Sequence, residues 1–354
     1  MQPTPEADTA TDTTHFRVEL ARSTTSFEVA PNQAILDAAL RANAWIPHSC
    51  TQGTCGTCKL KVLSGTVDHA DSPEYTLSTE ERANGLTLAC RAIPQGDLVV
   101  EPLGASDDGV PHHPLRDYTA EVVVLEDIAA DTRRLVVELD SPMAFNAGQY
   151  CELIVPESGV ARQYSMANPP DENRRLEFHI KRTPGGLATD GWIFRSLEVG
   201  DRFDLKGPLG QFHLVNQCEE TAVLIGGGTG LAPLKSIVRH ALHLDLLPEI
   251  HLYHGGRRQV DLYDVEFFTA LEREHPNFHY HPALSEEEWD GATGMVTDVV
   301  ADDFATCKGM RAYLCGPPVM VASAVKTLKR RRMSPRLILR EEFTPAPIAD
   351  PPPA

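Results

Sequence analysis

Three cysteines crowd into one short stretch, Cys50-Thr-Gln-Gly-Thr-Cys55-Gly-Thr-Cys58, and a fourth, Cys90, follows after a long gap. No other feature restricts the chain so tightly. For three thiolates to point inward from one loop, the backbone between them must turn sharply within a few residues. Gly53 and Gly56 stand where those turns fall, and glycine adopts positive φ without steric cost. A C-x4-C-x2-C run with a distant fourth cysteine is the ligand spacing of a [2Fe–2S] cluster, an anionic centre that backbone N–H groups stabilise and tune. The alternatives fit less well. Structural zinc favours paired C-x2-C knuckles, and only a single one is present. A Rieske centre needs two histidine ligands, yet His48 precedes the run and none lies inside it or directly after Cys90. A redox C-x-x-C accounts for neither Cys50 nor Cys90.

Residues 16–29 read as two short strands with a turn near residues 23–25, and residues 34–43 as a helix with Ile35, Ala38, Ala39 and Leu40 at helical spacing. Together with the cysteine run, this stretch resembles the plant-type ferredoxin domain, which implies a β-grasp fold with later strands at 59–63 and 97–101. The expected boundaries are a disordered acidic tail at 1–13, the ferredoxin domain at 14–105 and a polar, proline-interrupted linker at 106–115. His112 and His113 in the linker are read as solvated.

Alternating segments follow at 118–125, 132–139, 149–155, 162–166, 176–181 and 202–206, the pattern of an antiparallel barrel. Within them lies Arg162-Gln163-Tyr164-Ser165. An arginine offers a fork of donors to a pyrophosphate, a tyrosine gives a flat face for a ring system, and a small hydroxyl hydrogen-bonds near a reacting nitrogen. Ala147-Gly148-Gln149-Tyr150 precedes that motif; His179-Ile180-Lys181-Arg182 and Gly185-Gly186-Leu187-Ala188-Thr189 come after it. The last of these opens a short helix expected at 189–196 and reads as a pyrophosphate seat. In this order the motifs resemble the flavin domain of the ferredoxin–NADP+ reductase superfamily. The resemblance implies FAD over residues 116–216, held by Arg162, Tyr164, Ser165, His179, Lys181, Gly186, Leu187 and Thr189. Cys151 and Cys218 are expected to pack in cores.

Residues 221–225 form a buried strand leading into Gly226-Gly-Gly228-Thr229-Gly230-Leu-Ala-Pro233 and a helix at about 234–242. Strand, glycine turn and helix make a phosphate-binding arrangement, although Pro233 replaces the last glycine of the usual dinucleotide fingerprint. The reductase superfamily carries proline there, and also a Cys-Gly-Pro motif matched by Cys315-Gly316-Pro317. The resemblance therefore assigns Gly226, Gly228, Thr229, Gly230, Pro233, Cys315, Gly316 and Pro317 to the nicotinamide dinucleotide over residues 217–343. It also places Glu341 near the nicotinamide and Phe343 near the flavin, ahead of a proline-rich tail at 344–354 that is expected to be disordered. Arg257 and Arg258 are candidates to meet a 2′-phosphate, with Asp261 and Asp264 opposing it; family resemblance favours NADH. His275, His279 and His281 read as surface groups.

The expected fold is thus multidomain: an α+β β-grasp ferredoxin, an antiparallel β-barrel for FAD, and an α/β Rossmann-like parallel sheet for NAD. A net charge of −18 argues against nucleic acid and anionic membranes as partners and suits a protein with a basic patch. The first residues lack the pattern of a signal peptide, and no apolar run reaches the about 18 residues of a membrane span, so a cytoplasmic location is expected. The whole chain resembles the reductase components of bacterial monooxygenases built on soluble di-iron hydroxylases for alkanes, cyclic ethers, phenols or toluenes. That implies a hydride from NADH to FAD, single electrons to the cluster, and onward transfer to a hydroxylase, with Ser165, Cys315 and Glu341 lining the hydride-transfer face. The alternatives are the reductase of a Rieske-type aromatic-ring dioxygenase and a redox-sensing iron–sulfur flavoprotein without turnover.

Overall fold

The structure, a computed structural model, describes residues 15–104, 109–215 and 219–344. Both expected tails (apart from Thr344), Cys218 and the start of the linker lie outside the described residues. The chain forms two compact units, residues 1–107 and 108–354, and each is described by itself.

In the first unit, strand Phe16–Leu20 pairs antiparallel with Ser26–Val29 and parallel with Leu98–Pro102. The sheet continues through Lys59–Ser64 to Leu86–Leu88. Helix Ile35–Arg41 turns Ile35, Leu36, Ala38, Ala39 and Leu40 into the core, as its spacing requires. A second helix, Thr79–Ala83, starts on a capping box between Ser78 and Glu81, which satisfies two backbone donors that the helix itself leaves open. Joining the first and last strands in parallel makes the closed β-grasp frame from which the cysteine loop projects.

The second unit begins with six antiparallel strands in the spatial order Ala161–Ser165, Tyr150–Ile154, Arg202–Leu209, Arg116–Ala129, Thr132–Leu139, Arg175–Lys181. A bridge between Met166 and Phe178 joins the two ends of that order, so the sheet closes on itself. Leu135, Val137, Leu153, Leu176, Phe178 and Ile180 fill the interior. Alternation along Arg175–Lys181 sends Leu176, Phe178 and Ile180 inward and therefore Glu177 and His179 outward.

A parallel sheet follows, ordered Ala292–Thr293, Phe278–Leu284, Ile250–Gly256, Ala222–Gly227, Arg311–Gly316, Ile338–Glu342. Its strand order reverses between Ala222–Gly227 and Arg311–Gly316, and such a switch point opens a crevice at the C-terminal ends of the strands.

The barrel and the parallel sheet are bolted together by a charge cluster around the buried Lys235. Lys235, on helix Leu231–His243, reaches Glu177 of the barrel at 2.9 Å and Asp264 at 2.7 Å. Arg134 pairs with the same two carboxylates, at 3.1 Å to Glu177 and closely to Asp264. Ser236 adds a hydrogen bond of 2.7 Å to the Asn168 carbonyl. Burial alone would raise the proton affinity of Glu177, but the hydrogen bond from His179 and the charge of Lys235 outweigh it and hold this carboxyl well below its usual range. A carboxyl held below its unfolded value of about 4.5 stabilises the fold above that pH, and the contribution drains away as pH falls below it.

Replacing Lys235 by Met should therefore destabilise the second unit by about 1.5–3 kcal/mol, because it leaves Arg134 alone to balance Glu177 and Asp264 where Lys235 itself is 5 % exposed. Denaturant unfolding at pH 7 followed by tryptophan fluorescence, with Trp192 in the barrel core, checks the size of the loss. In Glu177→Gln, the decline of stability below about pH 4.5 should be shallower than in the parent chain. A loss under about 1 kcal/mol in the first variant would mean that water screens the cluster.

Candidate functional site

The loop between the helix Ile35–Arg41 and the strand Lys59–Ser64 brings its thiols together in pairs. Cys50 and Cys55 place their sulfurs 3.1 Å apart, and each donates its backbone N–H to the other's sulfur at 3.4 Å. Thr54 offers its hydroxyl to Cys50 Sγ at 3.5 Å. Cys58 and Cys90 are the second hydrogen-bonded pair. Within each pair one thiol ionises first. The Cys55 bond lowers Cys50 to about 5 and drives Cys55 up, and the Cys90 bond lowers Cys58 while Cys90 rises. Gly53 and Gly56 have φ of 80° and 74°, so the turns do use the left-handed region. Two pairs of thiols with backbone donors facing sulfur match a two-iron centre that takes two thiolates on each iron. No histidine joins the set.

On the barrel, register pairs Tyr150 with Ser165 and Cys151 with Tyr164. Ser165 is buried and Tyr164 half-buried, with burial pushing the tyrosine hydroxyl's pKa up. Arg162 donates to the Ala161 carbonyl at 2.8 Å. Cys151 is buried against Met143 and Met166, the packing role expected of it. The glycine turn is tight: Gly186 N–H donates to the Thr183 carbonyl at 2.9 Å, and Thr189 accepts from Thr183 N–H at 3.1 Å. A Cβ on Gly186 would lie 2.7 Å from Thr189 Oγ1, so this position needs glycine. The expected helix at 189–196 is shorter, a single π-helical turn over Thr189–Ile193. Leu187 is exposed beside it.

Lys181 is exposed at the end of its strand, whereas His179 is buried. The His179 ring meets Glu177 at 2.8 Å through Nε2 and the Tyr263 hydroxyl at 3.2 Å through Nδ1. Both nitrogens are thereby engaged within the protein. The Tyr263 hydroxyl also reaches the Gly228 carbonyl at 3.1 Å, so the barrel is tied directly to the glycine turn.

At the switch point, a 3-10 turn over Gly228–Gly230 leads into helix Leu231–His243, which starts earlier than its expected bounds. Pro233 sits in the first turn, where its missing N–H costs nothing. The turn is pressed against the next strand end: a Cβ on Gly230 would lie 2.1 Å from the Cys315 carbonyl oxygen. Gly316, at φ 141°, faces Gly227 in the same way, with 2.8 Å to its carbonyl. Pro317 then caps helix Pro318–Arg330. Register sets Cys315 beside Gly226 on one side and Glu341 on the other. Cys315 is fully buried, and burial together with the Glu341 charge holds its thiol protonated. Glu341 Oε1 lies 4.0 Å from where a Cβ on Gly210 would stand, and Gly210 in turn abuts Tyr150. Ser165, Tyr150, Gly210, Glu341 and Cys315 thus run in sequence from barrel to parallel sheet. Phe343, half-buried, donates its N–H to the Gly316 carbonyl at 2.9 Å.

Asp264 is held in the charge cluster with Lys235 and Arg134. Asp261 is turned onto the Arg258 N–H at 3.0 Å. Sequence reasoning named Tyr150 only within the stretch ahead of the Arg162 strand, gave Gly210 no site role beyond a turn, and missed Tyr263.

Three successive stretches match known domain families: the 2Fe-2S iron-sulfur cluster binding domain over residues 18–95, the oxidoreductase FAD-binding domain over 119–214 and the oxidoreductase NAD-binding domain over 224–326. The chain is 54% identical to the reductase subunit of an aromatic O-demethylase from an Amycolatopsis species, over 89% of this chain and 95% of that one. It is 40% identical to the reductase component of a phenol 2-monooxygenase from a Pseudomonas species, over 89% of this chain and 91% of the other. Among solved structures, an Amycolatopsis cytochrome P450 reductase superposes with a TM-score of 0.88 at 51% identity, covering 93% of this chain and 99% of that one. No helix among the described residues is long and apolar enough to cross a membrane.

The glycine turn offers a direct test. Gly230→Ala drives a methyl into backbone and should abolish NADH binding, whereas Gly228→Ala, with open space around its Cβ but φ of 56°, should cost only about 1–2 kcal/mol of strain. Fluorescence titration with NADH on both variants separates the two. Equal affinities would show that the turn relaxes away from Cys315.

Proposed function

Because the chain belongs to the iron–sulfur flavoprotein reductases of multicomponent oxygenases, we propose that it carries electrons from NADH through FAD and a [2Fe–2S] cluster to a monooxygenase component. The observation that supports this is the run from Ser165 through Tyr150 and Gly210 to Glu341 and Cys315, which joins the barrel strand carrying the Arg162–Ser165 motif to the crevice of the parallel sheet. When bound, FAD takes up a pair of electrons and gives them out singly, and the cluster takes one at a time.

We assign residues 14–105 to the cluster, 116–216 to FAD and 217–343 to NADH. Cys50, Cys55, Cys58 and Cys90 would hold the two irons. Arg162 and the turn at Gly186, Leu187 and Thr189 would hold the pyrophosphate of FAD, with Tyr164 and Phe343 against its ring and Lys181 at the rim. Gly226, Gly228, Thr229, Gly230 and Pro233 would seat the dinucleotide phosphates, and Gly316 and Pro317 would admit the nicotinamide. Ser165, Cys315 and Glu341 would position the reacting atoms. A protonated, buried Cys315 forms no covalent intermediate; it supplies a close, dry wall for the ring. The cysteines of the described residues are free, which agrees with a reducing compartment, and we place the protein in the cytoplasm.

Anaerobic titration with NADH, followed by absorbance, should bleach the flavin and then the visible bands of the cluster. Loss of the flavin bands alone would reduce the protein to a flavin dehydrogenase. Cys315→Ala should slow flavin reduction about 10–100-fold while leaving dithionite reduction of the cluster unchanged.

The relatives favour a haem oxygenase as recipient beside the di-iron hydroxylase, since the 54% identical chain serves an O-demethylase and the superposing structure is a cytochrome P450 reductase. NADH-driven formation of the carbon monoxide complex of an added P450 partner distinguishes them from a recipient that shows only di-iron turnover.

A further inference from the structure

At the N-terminal ends of strands Ile250–Gly256 and Phe278–Leu284, away from the nucleotide crevice, three side chains converge on one small space. His251 and His279 are register partners on adjacent parallel strands, so their rings stack, with centroids 4.6 Å apart. Glu249 precedes the first of these strands. Its Oε1 lies 3.4 Å from His251 Nε2 and 3.3 Å from His279 Nε2, and the three atoms all fall within 4.8 Å of one another.

Those spacings are informative. Charge-assisted N–H···O bonds close to about 2.7–2.9 Å. Ligand atoms held about 2.0–2.1 Å from a tetrahedral ion stand about 3.3 Å apart. The carboxylate stands from each imidazole at the spacing of two ligands on one ion.

The hydrogen-bond relay behind them points the same way. Asp303 Oδ2 accepts from the Tyr253 hydroxyl at 2.8 Å and faces His281 Nδ1 at 3.7 Å. A neutral His281 that carries its proton on Nδ1, toward that carboxylate, presents a lone pair on Nε2. His281 Nε2 lies 3.3 Å from His251 Nδ1, which must then be the donor. The remaining nitrogen, His251 Nε2, is left with a lone pair aimed at the Glu249 carboxylate. In that tautomer the space between His251 Nε2 and the Glu249 carboxylate suits a bound cation, where the other tautomer would place a proton. A ligating histidine whose other nitrogen donates into a carboxylate-backed chain is the arrangement that orients imidazoles on metals. The other group of acids and histidine, Glu177, His179 and Asp264, differs because Arg134 and Lys235 already neutralise it.

We propose that Glu249, His251 and His279 form a binding site for a zinc-class divalent cation, with His281 and Asp303 as its outer support. Two imidazoles and a carboxylate suit zinc and its neighbours rather than magnesium or calcium. Glu249 and His279 are partly exposed, at 45% and 35%, so the fourth coordination place opens to water. The site joins residues of two strands and the loop ahead of them at the edge of the sheet opposite the dinucleotide.

The test uses the full chain with flavin and iron–sulfur cluster in place, so that the four cluster cysteines are occupied. After passage over a chelating resin, the protein is titrated with zinc chloride by calorimetry and the bound metal examined by X-ray absorption. One equivalent should bind, with nitrogen and oxygen neighbours at about 2.0 Å, imidazole scattering and no sulfur. Glu249→Gln and His279→Ala should each weaken binding at least about 10-fold, and His281→Phe, which removes only the outer support, should weaken it by about 10–100-fold with the same ligand shell. Three results would overturn the proposal: no saturable binding, a zinc spectrum dominated by sulfur, or undiminished affinity in both Glu249→Gln and His279→Ala. The two ligands are partly exposed, so their variants should fold; circular dichroism and retained flavin absorbance establish that independently of metal.

Discussion

Two half-buried carboxylates, one buried lysine and one half-buried arginine hold the catalytic half of this protein in register. Glu177 belongs to the barrel, Asp264 to the loop after the second strand of the parallel sheet, and Lys235 to the helix that springs from the glycine turn. Arg134 closes the group from a neighbouring barrel strand. Each charge has lost much of its water, and that loss is offset only while all four stay in place. Geometry, more than net stability, is what such a cluster secures. Since Lys235 lies one turn into its helix, fixing it fixes the glycine turn ahead of it. Tyr263 does the same from the other side by reaching both His179 and the Gly228 carbonyl. The separation between Ser165 on the barrel and Cys315 in the crevice follows from that bolt.

Close approach is the second constraint, and backbone rather than side chain sets it. Gly230 against Cys315 and Gly316 against Gly227 in the parallel sheet, and Gly210 against Tyr150 in the barrel, are three places where a single methyl would push strand ends apart. A hydride moves only between atoms in near contact, so space taken by a Cβ is lost to the ring it must admit. The cysteine loop of the other unit meets the same demand by another means. There Gly53 and Gly56 turn the chain so that amide N–H groups and thiols share one small volume.

Features legible in the sequence were those whose parts are contiguous. The cysteine run, the Arg162–Ser165 strand, the glycine turn and Cys315-Gly316-Pro317 each carry their chemistry within a few residues, so spacing alone exposes them. The β-grasp, barrel and parallel-sheet order was legible too, from strand spacing and turn residues joined to those motifs. The charge cluster was not. Arg134, Glu177, Lys235 and Asp264 lie far apart along the chain, and each alone reads as a surface charge until the fold buries it. Asp264 had been weighed against a nucleotide phosphate for that reason. His179 was legible as a member of its strand, but its partners Glu177 and Tyr263 are set by strand alternation and by a distant loop. The histidines at 279 and 281 read as surface groups because their decisive neighbour, His251, stands on the adjacent strand.

The parallel sheet also explains why anion and cation would part to opposite edges. Helices that return between parallel strands run against them, so helix N-termini gather at the strands' C-terminal edge and helix C-termini at the other. The peptide dipoles leave the first edge partly positive and the second partly negative. The glycine turn, meant for phosphate, opens onto the start of helix Leu231–His243 at the positive edge. Asp303, which backs the Glu249, His251 and His279 group, ends helix Val296–Asp303 at the negative edge. Ligand charge is therefore sorted by chain direction before any side chain acts. The same connectivity that draws a dinucleotide to one end of the strands makes the other end the favourable place for a metal ion.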